Sequence, residues 1–141
     1  MTAAPAFLWP VRIYWEDTDA GGIVFYANYL KFFERARTEW LRHLGIEQHK
    51  LREETGGMFV VTRTETRYLR PARLDDLLQV TVQVRDLGRA TVTLHQEAWS
   101  TTEGQLSDLL CEGAIRIGWV DTASMRPSRV PNSILEALKN P

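Results

Sequence analysis

The spacing of apolar residues changes period along the chain, and each change predicts an element. Val11, Ile13 and Trp15 alternate with Arg12, Tyr14 and Glu16, a two-residue period that predicts a strand burying the first three. Asp17, Thr18, Asp19, Ala20, Gly21 and Gly22 are turn-formers and end it. From about Asn28 the spacing becomes three or four, through Leu30, Phe33, Ala36, Arg37, Trp40, Leu41 and Leu44, with Gly45 placed to stop a helix. A weaker helical stretch from Ile46 to about Glu54 is apolar only at Ile46 and Leu51, which predicts a surface helix closed by Gly56 and Gly57.

Strands follow. Met58 to Leu69 is rich in Val, Thr, Phe and Tyr. Leu78, Val80, Val82 and Val84 alternate with polar residues; Gly88 marks a hairpin; Ala90, Val92, Leu94, Gln96 and Ala98 then oppose Thr91, Thr93, His95 and Glu97. After the turn Thr101-Thr102-Glu103-Gly104, the apolar face of a last strand runs through Leu109, Cys111, Ile115, Ile117 and Trp119. The tail from Asp121 is broken by prolines, and Ser133 with Glu136 has the spacing of a capping box for a short final helix. One long helix followed by consecutive alternating strands predicts an α+β fold, an antiparallel sheet with the helix against one face. Such a sheet has edges to protect, which predicts at least a dimer.

Composition narrows the picture. The 141 residues suit one domain spanning 1–141, with 121–141 as a tail. Seventeen basic and 18 acidic side chains give a net charge of −1, so nothing calls for nucleic acid or an anionic membrane. The single cysteine excludes an internal disulfide. The N-terminal segment, without Lys or Arg and cut by Pro5 and Pro10, reads as no secretory signal, and no apolar run reaches the ~20 residues of a membrane span. A cytoplasmic protein is expected. The three histidines lie on different elements and Cys111 has no partner cysteine, so no metal is expected; no Gly-x-Ser-x-Gly elbow or phosphate-cradling glycine loop occurs.

The chemistry concentrates where the turn meets the long helix. A helix start presents unpaired N–H groups and partial positive charge, which can polarise a carbonyl oxygen, and a carboxylate a few residues upstream faces the same carbonyl carbon. This is half of an acyl-transfer site. Asp19 taken alone is equally a turn or capping aspartate, and Asp17 and Thr18 read as turn-shaping hydrogen bonders.

The stretch Glu16-Asp17-Thr18-Asp19-Ala20-Gly21-Gly22-Ile23-Val24-Phe25-Tyr26-Ala27-Asn28-Tyr29 resembles hot-dog-fold acyl-CoA thioesterases of the 4-hydroxybenzoyl-CoA thioesterase family, above all the bacterial branch associated with the Tol-Pal system. The likeness continues in Glu34-Arg35-Ala36-Arg37-Thr38-Glu39, in Tyr68 to Asp76 and in Met125 to Pro131. It implies a sheet wrapped around one long central helix, no cofactor, a homodimer or homotetramer, and an active site at the dimer interface. It also implies hydrolysis of acyl-CoA thioesters, or of aromatic acyl-CoA or acyl-carrier-protein thioesters; a non-catalytic acyl-CoA-binding or envelope-linked module is the other reading. Peripheral inner-membrane association is a further expectation.

By the same resemblance Asp19 is the catalytic carboxylate, as nucleophile or as base for water, and the backbone N–H of Tyr26 donates to the thioester oxygen. Gly21 and Gly22 would let the substrate approach the backbone; simple turn geometry accounts for them too. Arg89, Arg70 and Arg73 are the candidates for coenzyme A phosphates, each otherwise a solvated charge. Glu34 is the rival carboxylate, although Glu34 with Arg37, and Arg35 with Glu39, read as helix-surface charge pairs. His95, His43, His49 and Cys111 read as structural.

Overall fold

The computed structural model describes residues 6–139. Residues 1–5, which begin the segment read above as no secretory signal, and the last two residues of the tail lie outside the described residues. In chain order the elements are β1 (Phe7–Arg12), a 3-10 turn (Trp15–Asp17), α1 (Asn28–His43), α2 (Gln48–Thr55), β2 (Gly57–Tyr68), β3 (Leu77–Leu87), β4 (Thr91–Thr102), β5 (Gln105–Asp121) and α3 (Asn132–Lys139). The five strands form one sheet in the order β1-β3-β4-β5-β2, and every neighbouring pair is antiparallel. This is the α+β arrangement that the change from helical to two-residue spacing predicts.

α1 packs across β1, β3 and β4. Its buried stripe is Tyr29, Phe32, Phe33, Ala36, Trp40 and Leu41, which meets Leu78, Val80, Val82, Val92, Leu94 and Ile115 from the sheet. The stripe differs from the predicted one in the first turn, where Leu30 is exposed. Tyr29 takes the inward position because its hydroxyl accepts the Ala72 N–H at 3.3 Å. Gly45 follows the helix at φ +83°, a conformation that favours glycine. α2 has no buried residue, as its sparse apolar positions predict.

The first strand ends earlier than its alternation predicts. Val11 and Ile13 are buried, but Trp15 is 84% exposed. The pattern fails there because the Asp17 carboxylate accepts the Tyr14 N–H at 2.8 Å, winding the chain into a 3-10 turn that carries Trp15 outward. The final helix starts earlier than the spacing of Ser133 and Glu136 predicts: α3 begins at Asn132, so Ser133, expected as its cap, lies inside its first turn.

Gly57 has a tight reason to be glycine. A Cβ there would lie 2.4 Å from Trp119 Cζ2, and Trp119 itself stacks edge-on against Phe59 with centroids 4.9 Å apart. No helix among the described residues is long and apolar enough to cross a membrane.

Candidate active site

The turn before α1 is built by backbone pairing. Gly22 N–H donates to Asp19 O at 3.0 Å, Asp19 N–H donates to Ile23 O at 2.9 Å, and Val24 N–H donates to Ala72 O at 2.9 Å. Gly22 sits at φ +78°, where a Cβ is disfavoured. The result is a short looped ribbon pinned to the connection between β2 and β3. Its tip presents the exposed Asp19 carboxylate, whose Oδ1 accepts the Gly21 N–H at 2.8 Å.

Asp17 fastens this ribbon to the helix. It is 5% exposed; besides its carboxylate contact to Tyr14, its carbonyl accepts both the Phe25 N–H at 3.0 Å and the Asn28 side-chain amide at 2.9 Å. Thr18 donates from its hydroxyl to Trp15 O at 2.8 Å. Both residues therefore shape the turn, as their residue types suggest.

At the start of α1 the first satisfied amides are those of Asn28, which donates to Phe25 O at 2.9 Å, and Tyr29, which donates to Tyr26 O at 3.4 Å. The N–H groups of Tyr26 and Ala27 donate to no acceptor among the described residues. Two unused donors thus coincide with the positive end of the helix dipole. The Tyr26 ring is 62% exposed and packs on Phe25 (centroids 4.9 Å) and edge-on against Tyr68 (5.9 Å). An exposed carboxylate on a tethered turn, beside unused donors at a helix start, is the equipment for adding a nucleophile to a carbonyl whose oxygen is held.

The arginines separate. Arg73 adjoins the turn, since Ile23 bridges to it, and its backbone N–H donates to Asp76. Arg70 is committed to Asp108 at 3.3 Å. Arg89 lies beyond the far end of β3, where Trp119 N–H donates to Ala90 O and Val130 N–H donates to Arg89 O. The ten steps along β3 from Leu77 to Leu87 span ~33 Å. Asp19 and Arg89 therefore occupy opposite ends of one chain. The same Val130 contact brings Arg126 and Arg129 of the tail to the Arg89 end, two cations that spacing in the sequence did not connect with it.

The charge pairs expected on α1 rearrange. Glu39 pairs with Arg42, Glu34 accepts the Thr38 hydroxyl at 3.1 Å, and Arg37 turns inward to Gln96. Arg37 falls on the apolar spacing of the helix, and that was the signal for its burial. On the outer face of the sheet, His95, Glu97 and Glu112 bring their ligand-type atoms within 4.8 Å, a cluster that separated histidines gave no reason to expect. β-register creates it, by setting Glu97 opposite Glu112. His95 Nε2 lies 3.3 Å from Glu97, and Arg67 pairs with Glu112 at 3.2 Å, a cation that offsets the like charges. Cys111 is fully buried, and burial pushes its thiol up to about 12.

The sequence matches the thioesterase-like superfamily over residues 13–138. It is 41% identical over 131 residues to the acyl-CoA thioesterase YbgC of Haemophilus influenzae, covering 93% of each chain. It is 39% identical over 133 residues to the acyl-CoA thioester hydrolase YbgC of an Escherichia coli O6:H1 strain, covering 94% of this chain and 96% of that one. In fold it superposes on a 4-hydroxybenzoyl CoA thioesterase variant complexed with 4-hydroxybenzoyl CoA, with a TM-score of 0.88 at 20% identity over 96% of this chain and 99% of the other. The sheet and central helix are the hot-dog fold, and the chain belongs to the thioesterase-like superfamily, among relatives of the YbgC type.

Proposed function

We propose that the protein hydrolyses acyl-CoA thioesters to coenzyme A and a carboxylic acid, with Asp19 and the Tyr26 amide as its working groups. The observation that carries this reading is the exposed Asp19 carboxylate fixed on a turn before α1, together with the N–H groups of Tyr26 and Ala27 just ahead of that helix, which donate to no acceptor among the described residues. The Tyr26 N–H takes the thioester oxygen as negative charge builds on it, a donor worth ~3 to 4 kcal/mol in such a transition state. Asp19 then acts in one of two balanced ways. Its carboxylate attacks the carbonyl carbon, coenzyme A leaves as thiolate, and water cleaves the resulting anhydride; or Asp19 accepts a proton from water while the oxygen of that water attacks.

The edge strand supports a homodimer. β2 is 12 residues long and among the described residues pairs only with β5, and Val61 and Tyr68 along it are about half exposed, as is Leu69 just beyond. A second copy adding its own β2 antiparallel across a two-fold axis covers this edge. Its Gly57 end then lies beside this chain's Tyr68 end. The partner's Arg89, Arg126 and Arg129 consequently come to the end that holds this chain's Asp19, and they are the cations we assign to the phosphates of coenzyme A. The long separation of Asp19 from Arg89 within one chain thereby becomes a reason for the dimer. A cytoplasmic site of action fits this substrate.

The test follows released thiol from a panel of short-chain, long-chain and aromatic acyl-CoAs, with wild type beside a folded Asp19→Asn variant. Turnover by wild type with a loss of ~100-fold or more in the variant supports the assignment. Equal activity in both moves the carboxylate elsewhere, with Glu34 next.

A further inference from the structure

Among the described residues, His95, Glu97 and Glu112 form the one group whose nitrogen and oxygen atoms converge closely enough to share an ion, all three lying within 4.8 Å of one another. They sit on the face of the sheet turned away from α1. The fully buried Leu94, Gln96 and Ala98 alternate with His95 and Glu97 along β4, and the register sets Glu97 opposite Glu112 of β5. Two carboxylates opposite each other on paired strands repel. Water relieves this only in part, since the His95, Glu97 and Glu112 side chains are 18%, 25% and 24% exposed. Arg67 offsets one of the two charges, and one is left beside the imidazole.

The carboxylate oxygens divide by role. Glu97 Oε1 accepts the Trp99 indole N–H at 3.3 Å, and Glu112 Oε1 accepts the Arg67 guanidinium at 3.2 Å. Each carboxylate thus has one oxygen tied to an outer donor and a second oxygen for another partner. For Glu97 that second oxygen lies 3.3 Å from His95 Nε2. Metal sites are built in this way, with an outer hydrogen bond orienting a carboxylate toward the ion. The spacing agrees, because ligand atoms about 2.0–2.1 Å from a tetrahedral zinc lie about 3.3 Å from one another. Glu112 closes by side-chain rotation alone. One imidazole and two carboxylates suit a first-row divalent cation such as zinc better than calcium, which takes about six to eight oxygens.

We propose that His95, Glu97 and Glu112 bind one Zn²⁺ per chain on the outer face of the sheet, where the ion clamps β4 to β5. The pairing of these strands slips just beyond Glu97, between Ala98 and Trp99 and again between Trp99 and Thr101. The ion ties the two strands together on the regular side of that irregularity and neutralises the opposed carboxylates. α1 and the Asp19 turn lie across the sheet, so the clamp acts on stability and is independent of the thioesterase reading.

Equilibrium dialysis of the full chain against Zn²⁺, after stripping with EDTA, tests it beside thermal unfolding. Wild type should hold one ion per chain, and with Zn²⁺ at about a hundredfold excess over the dissociation constant its midpoint of unfolding should rise by about 5 °C or more. His95→Gln and Glu112→Gln should each weaken binding by about tenfold or more and abolish the rise. Glu112→Gln in EDTA should unfold no earlier than wild type, because one of two opposed charges is gone, so its loss of binding is not a loss of fold. His49→Gln, which alters an exposed histidine beside Glu53 on α2, should bind as wild type does. Should His95→Gln fail to fold, Glu112→Gln carries the same comparison. Failure of folded wild type to retain the ion overturns the proposal. Equal binding by wild type and Glu112→Gln, or loss of binding in His49→Gln, overturns it too, since either places the ion elsewhere.

Discussion

The Gly21 N–H donates to Asp19 Oδ1 at 2.8 Å, and a Cβ placed on Gly21 would lie 3.2 Å from that same oxygen. The backbone that orients the carboxylate also limits the room beside it. Gly21→Ala therefore presses on Asp19 without straining the chain, since Gly21 is not in the left-handed region. The expected result is a fall in kcat of roughly 10- to 100-fold, as a misplaced reacting group gives, with a midpoint of thermal unfolding close to wild type. Activity assays beside a melting curve check both halves.

Gly22 separates from its neighbour in the opposite sense. Nothing lies within 4 Å of a Cβ built there, but its φ of +78° strains any other residue. Gly22→Ala should cost about 1 kcal/mol of stability, visible as a lowered denaturation midpoint in urea at unchanged slope. A variant as stable as wild type would contradict the turn geometry.

Gly57→Ala should be worse than either, because the added methyl meets the Trp119 ring at 2.4 Å, and a ring stacked on Phe59 has little freedom to move away. Overpacking of this kind costs about 1–3 kcal/mol. Loss of near-ultraviolet circular dichroism from Trp119 should accompany it.

Alkaline pH should destabilise the fold in two stages. Burial raises Cys111 from 9.0 to about 12 and Tyr29 from 10.0 to about 12. Between those limits the native chain holds protons that the unfolded chain has released. Stability is therefore complete below about pH 9 and declines as pH rises from there toward 12, Cys111 first and Tyr29 from about pH 10. Cys111→Ala should flatten the first part of the decline in urea titrations run at successive pH values. An identical pH profile in the variant would show that the thiol contributes nothing.

Much of this was legible in the residues. The period change at Asn28 marks α1 because its apolar face is continuous, and the alternation from Leu78 onward marks β3 and β4 because each buries one face. The turn carrying Asp19 and the helix start after Tyr26 are likewise legible, because turn-formers give way there to helical spacing; the roles of both residues are what the family resemblance implies. What escaped depends on contacts between distant residues. Trp15 follows a strand pattern and is exposed because one aspartate, Asp17, binds back to Tyr14. Arg37 reads as a surface charge beside Glu34, yet the fully buried Gln96 draws it inward across 59 positions of sequence. The His95, Glu97 and Glu112 cluster exists only through the pairing of β4 with β5. Arg89 is a candidate for coenzyme A phosphates by resemblance; only sheet order shows that it sits at the far end of β3 from the Asp19 turn.

In the proposed dimer, that last separation would let two defective proteins cure one another. If each chain lends its carboxylate to one site and its basic end to the other, a dimer of Asp19→Asn with Arg89→Ala carries both lesions in one site and none in the second. Unfolding and refolding the two variants together at equal amounts yields half mixed dimers, each with one intact site, so roughly a quarter of wild-type activity should appear where neither parent has much. Chains that kept both groups for themselves would show no such rescue.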